Sequence, residues 1–228
     1  MKKLVFLTGA GVSAESGIKT FRDSDGLWEN YNVEDVATIE AWSRNAKLMV
    51  DFYNARRREV KNAQPNLAHK IIGELQSDFD VTVITQNIDN LHERGGAKKV
   101  IHLHGEITKV CSEYGKQYVK DIGYEDLHYG DRAEDGHLLR PFIVWFGEDV
   151  PLLSKAAEVV EQADILVIIG TSLNVYPAAS LYFYAPATCP IYLIDPKEVQ
   201  THSQRIEFIQ KPATEGMQIL KEKLLQCK

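Results

Sequence analysis

The residues with the most chemical potential fall in a few short stretches. TQNIDNLHERGG, Thr85 to Gly96, places Asn87 and Asp89 just past an apolar run, and HLHGE, His102 to Glu106, sets His102 and His104 in alternation. An imidazole with an ordinary pKa of about 6.5 exchanges a proton at neutral pH, so either histidine is a candidate general base. Alternation puts both on one strand face, where a histidine is as readily a satisfied structural residue. Asn87 and Asp89 offer an amide and a carboxylate to a ligand, or else an Asx turn leading into a helix at Asn90.

In DFYNARRREV, Tyr53 and Arg56 are three positions apart and project from one face of a helix. A guanidinium grips a carboxylate bidentately and a phenol adds a hydrogen bond. The other reading makes Arg56, Arg57 and Arg58 a solvated basic run with Tyr53 packed nearby. Near the start, Gly9, Gly11 and Ala14 fit G-x-G-x-x-G/A directly after a strand-like run. Such glycines let the backbone approach a pyrophosphate, whose charge a helix N-terminus favours. A tight strand-to-helix turn explains the same residues. A hydride-transferring dehydrogenase is disfavoured, because Gly17 ends any helix early and FRDSDGLWENY follows in place of a second strand ending in an acid.

The elements that must position these residues alternate. Apolar, β-branched runs at Lys3 to Thr8, Val81 to Thr85, Val100 to His104, Phe142 to Phe146, Asp164 to Gly170 and Pro190 to Asp195 read as strands. Helical patterns lie between them at Asn45 to Lys61, Asn66 to Leu75, Ser154 to Gln162 and Thr214 to Leu225. Continuous apolar strands separated by helices predict an α/β fold with a doubly wound, Rossmann-like parallel sheet. Residues 106–140, rich in Tyr, Gly, Asp and Glu, break the rhythm and read as a small inserted lobe within a single domain spanning 1–228.

A net charge of -6 gives no basic footprint for nucleic acid. The apolar stretch from Leu4 to Leu7 is too short for a signal peptide, and no run approaches the roughly 18 apolar residues of a membrane span. A cytoplasmic protein, monomeric or weakly oligomeric, is expected. Cys111, Cys189 and Cys227 form no C-x-x-C pair, which argues against a disulfide framework and a four-cysteine zinc site.

GAGVSAESGIKTFRDSDGLW, TQNIDNLHERGG, HLHGE, VWFGE, GTSLNVYPAA and LIDP occur in that order over nearly the whole chain. The set resembles the sirtuins, NAD-dependent protein lysine deacylases, and among them the bacterial class III type that removes succinyl and malonyl groups. The resemblance implies that NAD binds and that the acyl-lysine amide displaces nicotinamide, giving O-acyl-ADP-ribose and free lysine. It selects His104 as the base and leaves His102 structural, and it has Asn87 and Asp89 hold the ribose and carboxamide in a reactive pose. Further cofactor contacts implied are Gly9, Ala10, Gly11, Ser13 and Ala14, then Gln86 and Ile88, then Gly170, Thr171 and Ser172. Ile194, Asp195, Pro196 and Ala213 would lie against adenosine. Phe21, Arg22 and Trp28 belong to a cofactor loop that, with the acyl pocket, occupies residues 22–62. Tyr53 and Arg56 would recognise an acidic acyl group. Val144, Phe146, Gly147, Glu148 and Val175 would flank an acylated peptide as added strands.

One departure concerns metal. The family usually carries four zinc cysteines in the small lobe, whereas only Cys111 stands there; His128 and His137 could join it in a mixed site, but tetrahedral zinc wants four ligands at defined spacing. No metal is expected, and packing of Tyr114, Tyr118, Tyr124 and Leu127 is expected to hold the lobe. Mono-ADP-ribosyl transfer and a non-catalytic NAD or ADP-ribose sensor are the alternative functions. The joint presence of His104, Asn87 and Asp89 argues against the sensor.

Overall fold

A computed structural model describes residues 1–19, 27–28, 31–201 and 205–226. In chain order the elements begin with β1 (Lys3–Thr8), α1 (Gly11–Ala14), β2 (Leu27–Trp28), β3 (Tyr31–Asn32), α2 (Val33–Val36), α3 (Ile39–Asn62), α4 (Leu67–Glu74) and β4 (Asp80–Thr85). There follow α5 (Leu91–Arg94), β5 (Val100–His102), β6 (Gly105–Ser112), β7 (Lys120–Asp121), β8 (Leu139–Ile143) and α6 (Leu153–Glu161). The chain closes with β9 (Ile165–Ile169), β10 (Ile191–Ile194), β11 (Ile206–Ile209) and α7 (Ala213–Gln226). No helix among the described residues is long and apolar enough to cross a membrane.

Six strands form one sheet in the order β11-β10-β9-β1-β4-β5, every neighbouring pair parallel. Alternate side chains of each strand serve opposite layers, which is why these runs are apolar throughout. Leu4, Phe6, Val81, Val83, Val167 and Ile169 pack beneath α4 and α7, against Ile71, Ile72, Met217 and Leu220. Val5, Leu7, Ile84, Leu166 and Ile168 face the other way, toward Ala156 and Val160 of α6 and Leu181 of a 3-10 turn at Ala178–Tyr184. The sheet is therefore doubly wound, as the sequence predicts.

Helix α3 breaks its regular backbone at Asn45 (φ -153°, ψ 70°), whose side chain accepts from Leu48 N–H at 3.1 Å. The second, longer segment thus starts on an asparagine cap, where the sequence places the helix onset. Its inner face joins a third core with Ile107, Val110, Leu127, Ile143 and Trp145.

One expectation needs correction. FIVWF is not a strand of the parallel sheet: β8 ends at Ile143 and pairs antiparallel with β6 in a separate sheet ordered β7-β6-β8. Strands β6 and β11 went unread. β11 is an edge strand with no fully buried residue, so its composition lacks the uninterrupted apolar run of a central strand.

Candidate active site

Parallel strands deliver their C-terminal ends to one edge of a sheet. β1, β4, β9 and β10 stop at Thr8, Thr85, Ile169 and Ile194, so residues 9–14, 86–89, 170–172 and 195–196 converge there. The chain runs outward from β1 to β4 and β5, then returns to β9 on the other side of β1. The switch point, where such sheets bind ligands, lies between β1 and β9. At that point Gly11 N–H donates to Gly170 O at 2.9 Å. A Cβ on Gly11 would sit 2.6 Å from Gly170 Cα, and one on Gly9 would sit 2.8 Å from Gly170 O. These glycines are required because two turns nest against each other, a reason the sequence reading, which assigned them to pyrophosphate approach, did not contain. Gly17, at φ +88°, ends α1 after one turn as expected.

Behind the turn lies a buried polar network. Ser13 donates to Asp89 Oδ2 at 3.0 Å and accepts from Asn87 Nδ2 at 3.2 Å, while Asn87 Nδ2 also reaches Gly9 O at 3.2 Å. Leu91 N–H donates to Asp89 Oδ1 at 3.0 Å. Burial raises the Asp89 pKa although the bonds from Leu91 and Ser13 oppose it. On the far side of Ser13, His69 Nε2 approaches at 3.5 Å, and the Asn66 N–H donates to His69 Nδ1 in a capping box. Burial lowers the His69 pKa to about 4, so this imidazole is neutral.

His104 follows β5 and is half-buried. Its Nδ1 lies 3.0 Å from Gln86 O. A carbonyl only accepts, so Nδ1 carries the proton and Nε2 keeps its lone pair. Burial lowers the His104 pKa against the opposing effect of the Gln86 bond, which keeps the ring neutral at pH 7. His102 is fully engaged instead, with Nδ1 3.0 Å from Asn87 O and Nε2 2.7 Å from Glu93 Oε1.

On α3, Tyr53 and Arg56 are 1% and 4% exposed, so the reading of a solvated basic run is wrong for Arg56, and Arg57 is buried as well. Only Arg58 lies at the surface, paired with Asp126 at 2.6 Å. Trp145 Nε1–H donates to the Tyr53 hydroxyl oxygen at 3.0 Å, and Arg56 pairs with Glu59 at 2.7 Å. Burial raises the Tyr53 pKa, so the phenol keeps its proton.

The small lobe closes by means the sequence reading missed. Arg140, 1% exposed, donates to both oxygens of Glu148 at 2.8 and 3.0 Å and lies 3.4 Å over the Trp145 ring. Glu113 accepts from Trp42 Nε1 at 2.9 Å and from Leu138 N–H at 3.1 Å. Leu127 is buried and Tyr124 donates to Asn90 Oδ1 at 3.0 Å, whereas Tyr114 and Tyr118 are 66% and 46% exposed, Tyr114 stacking on His137 outside the core. Burial pushes the Cys111 thiol up to about 11 despite nearby Arg140 and Lys116. No group of three or more His, Cys, Asp or Glu among the described residues is placed to hold a metal ion.

The Sir2 family model matches residues 9–177 of this chain. The chain belongs to the Sir2 family. Among Sir2 relatives, a Bacteroides thetaiotaomicron protein named NAD-dependent protein deacylase is 55% identical over 231 residues, covering 99% of both chains. A Helicobacter pylori protein of the same name is 51% identical over 227 residues, again covering 99% of both. A solved Sir2 homologue–NAD complex superposes with TM-score 0.86 at 37% identity, covering 99% of this chain and 90% of that one. A Sir2–p53 peptide–NAD+ complex superposes with TM-score 0.81 at 28% identity, covering 98% and 93%.

Within this Sir2 fold the remaining expected positions are also placed. Gln86 Nε2 donates to Thr171 Oγ1 at 3.3 Å, Ile88 O accepts from Ile107 N–H at 2.8 Å, and Ser172 is half-buried. Asp195 is 2% exposed and accepts from Lys197 N–H at 2.9 Å, next to exposed Pro196, and Ala213 opens α7. Val144 N–H donates to His104 O at 2.9 Å, and the Phe146 backbone is bracketed by Ala37 and Ile39. Gly147 has φ +88°, and Val175 is 36% exposed. Trp28 pairs with Tyr31 in the β2-β3 ribbon; Phe21 and Arg22 lie outside the described residues. His69 was not foreseen, although its place three residues after the cap Asn66 is a readable signal.

Proposed function

We propose that this chain is an NAD-dependent protein lysine deacylase acting on acetyl and acidic acyl groups, succinyl and malonyl, of lysine in proteins. The observation that carries the reading is His104: a neutral imidazole past the end of β5, its proton fixed on Nδ1 by Gln86 O, at the same sheet edge as Asn87 and Asp89, which follow β4. The donor set suits a dinucleotide, with hydroxyls of Thr171 and Ser172, the carboxylate of Asp195 at the sheet edge, and the amide of Asn87 beside the acid of Asp89. NAD would supply the departing nicotinamide and the ribose that receives the acyl group, giving O-acyl-ADP-ribose and free lysine.

His104 Nε2 would accept the ribose hydroxyl proton. Asn87, its Nδ2 committed to Gly9 O and Ser13, would present its Oδ1 to the cofactor. Ser13 would keep the Asp89 carboxyl oriented in a dry pocket. Tyr53 and Arg56, buried on one face of α3, support the acidic-acyl preference: the phenol accepts from Trp145 and so has its own proton to donate to a carboxylate. The phosphate and adenosine contacts and the peptide-flanking roles of Val144, Phe146, Gly147, Glu148 and Val175 belong to the same proposal, as do a cytoplasmic setting and a monomer.

The test is mass spectrometry of acetyl-, succinyl- and malonyl-lysine peptides incubated with NAD and wild-type, His104→Ala or Arg56→Met protein. Acyl loss that needs NAD and His104, with Arg56→Met abolishing only removal of the acidic groups, is expected. NAD cleavage without acyl loss would instead point to ADP-ribosyl transfer.

A further inference from the structure

His102 makes two hydrogen bonds that the proton transfer assigned to His104 does not use. Its ring is 8% exposed at the end of β5, bridging Asn87 O at 3.0 Å and Glu93 Oε1 at 2.7 Å. A carbonyl and a carboxylate both only accept, so both ring nitrogens carry hydrogens and the pair is imidazolium against carboxylate. We propose that His102, held as a cation by Glu93, is a positioning residue that clamps the 86–90 segment so that Asn87 and Asp89 face the ligand. The clamp rests on the deacylase reading for the roles of those two residues.

The need for it lies in the sheet. β4 and β5 pair only as far as Thr85 and His102, and beyond them the site segment has no ladder partner. Its backbone is tied instead one group at a time. Gln86 N–H donates to Thr8 O, Asn87 N–H to Thr85 Oγ1, and Ile107 N–H to Ile88 O. The Asn87 carbonyl depends on His102. The groups facing the ring are Glu93 from α5, Glu106 from β6, and the neighbouring His92 and Asp89. Lys109 pairs with Glu106 at 2.7 Å. Burial alone would lower the His102 pKa, but the Glu93 bond and charge outweigh it and raise it. Loss of the charge sets a nitrogen lone pair against one of the two acceptors and breaks one side of the clamp.

The experiment pairs NMR titration of the histidines in the wild-type protein with pH profiles of wild type, Glu93→Gln and His102→Gln on an acyl-lysine peptide. Wild-type His102 should titrate above about 6.5. Glu93→Gln removes the charge and offers its amide oxygen to a cationic ring or its N–H to a neutral one, so the His102 pKa should fall. Because the neutral ring can then keep Nδ1–H on Asn87 O and accept the amide on Nε2, the alkaline fall in kcat should disappear in this variant, with KM for the peptide unchanged. His102→Gln should be slow at every pH and lack that limb. Titration of wild-type His102 below pH 6.5, or superimposable profiles of wild type and Glu93→Gln, overturns the clamp. If the wild type removes no acyl group, the deacylase reading fails by itself; the same comparison is then made on NAD affinity, where a Kd with the same pH dependence in wild type and Glu93→Gln overturns the clamp.

Discussion

Replacing Glu148 by alanine tests what closes the small lobe of this Sir2 chain. Arg140 gives Glu148 two hydrogen bonds at 2.8 and 3.0 Å, Trp145 N–H gives it a third at 2.8 Å, and Lys116 stands 3.0 Å away. The variant leaves the guanidinium buried without its counter-charge, which costs about 3–5 kcal/mol. Against a typical total of about 5–15 kcal/mol, that is a large fraction of the stability. Urea unfolding read by tryptophan fluorescence should show a lower midpoint with little change in slope. The double variant Arg140→Met with Glu148→Leu should regain most of the loss, because apolar volume replaces both charges. A Glu148→Ala midpoint within about 1 kcal/mol of wild type would refute the ion-pair account. So would a wild-type midpoint that falls on dialysis against a chelator, which would mean that metal closes the lobe.

The same pair fixes the sign of a pH effect. Burial pushes the Glu148 carboxyl up, but bonds from Arg140, Trp145 and Lys116 outweigh this and hold it below its usual range. A carboxyl depressed in the folded state contributes stability above its unfolded pKa of about 4.3 and loses it as pH falls through the lower folded value. That acid-side decline should flatten in the double variant.

Other expectations follow from single contacts. Gly170→Ala puts a Cβ 2.4 Å from Val12 N at a residue with φ +62°. It should lower stability by more than about 2 kcal/mol in thermal unfolding and weaken NAD binding together with it. Since burial keeps the His104 pKa lowered, the acid limb of kcat/KM should lie below about 6.5, and a limb above that value would exclude His104 as its source. Trp145→Phe keeps a ring under Arg140 but removes the donor to the Tyr53 hydroxyl. It should cost about 1 kcal/mol, and KM should rise more for succinyl- than for acetyl-lysine peptides.

The parts of this molecule legible in its sequence are those whose physics is local. DILVIIG reads as a central strand because all five residues of β9 are buried, and a strand covered on both faces has no polar alternation to show. That Asn87, Asp89 and His104 come together is legible because each follows a strand end and a parallel sheet brings its strand ends to one edge, whereas the choice of His104 over His102 rests on the family resemblance. What joins them is not local. Ser13 and Asp89 are 76 residues apart, and His69 reaches Ser13 across 56, so no spacing rule announces the network. The packing need for Gly9 and Gly11 is not local either, since a nested turn of another strand is invisible until the sheet order is known. Glu148 makes the limit clearest. VWFGE suggested a backbone edge for a peptide, yet the side chain turns inward to Arg140, only eight residues away, because the lobe's inner face holds a buried cation. Sequence periodicity tells which residues are buried; it does not tell which buried charge will need which partner. The ion pair that closes the lobe therefore had to be read from the folded chain.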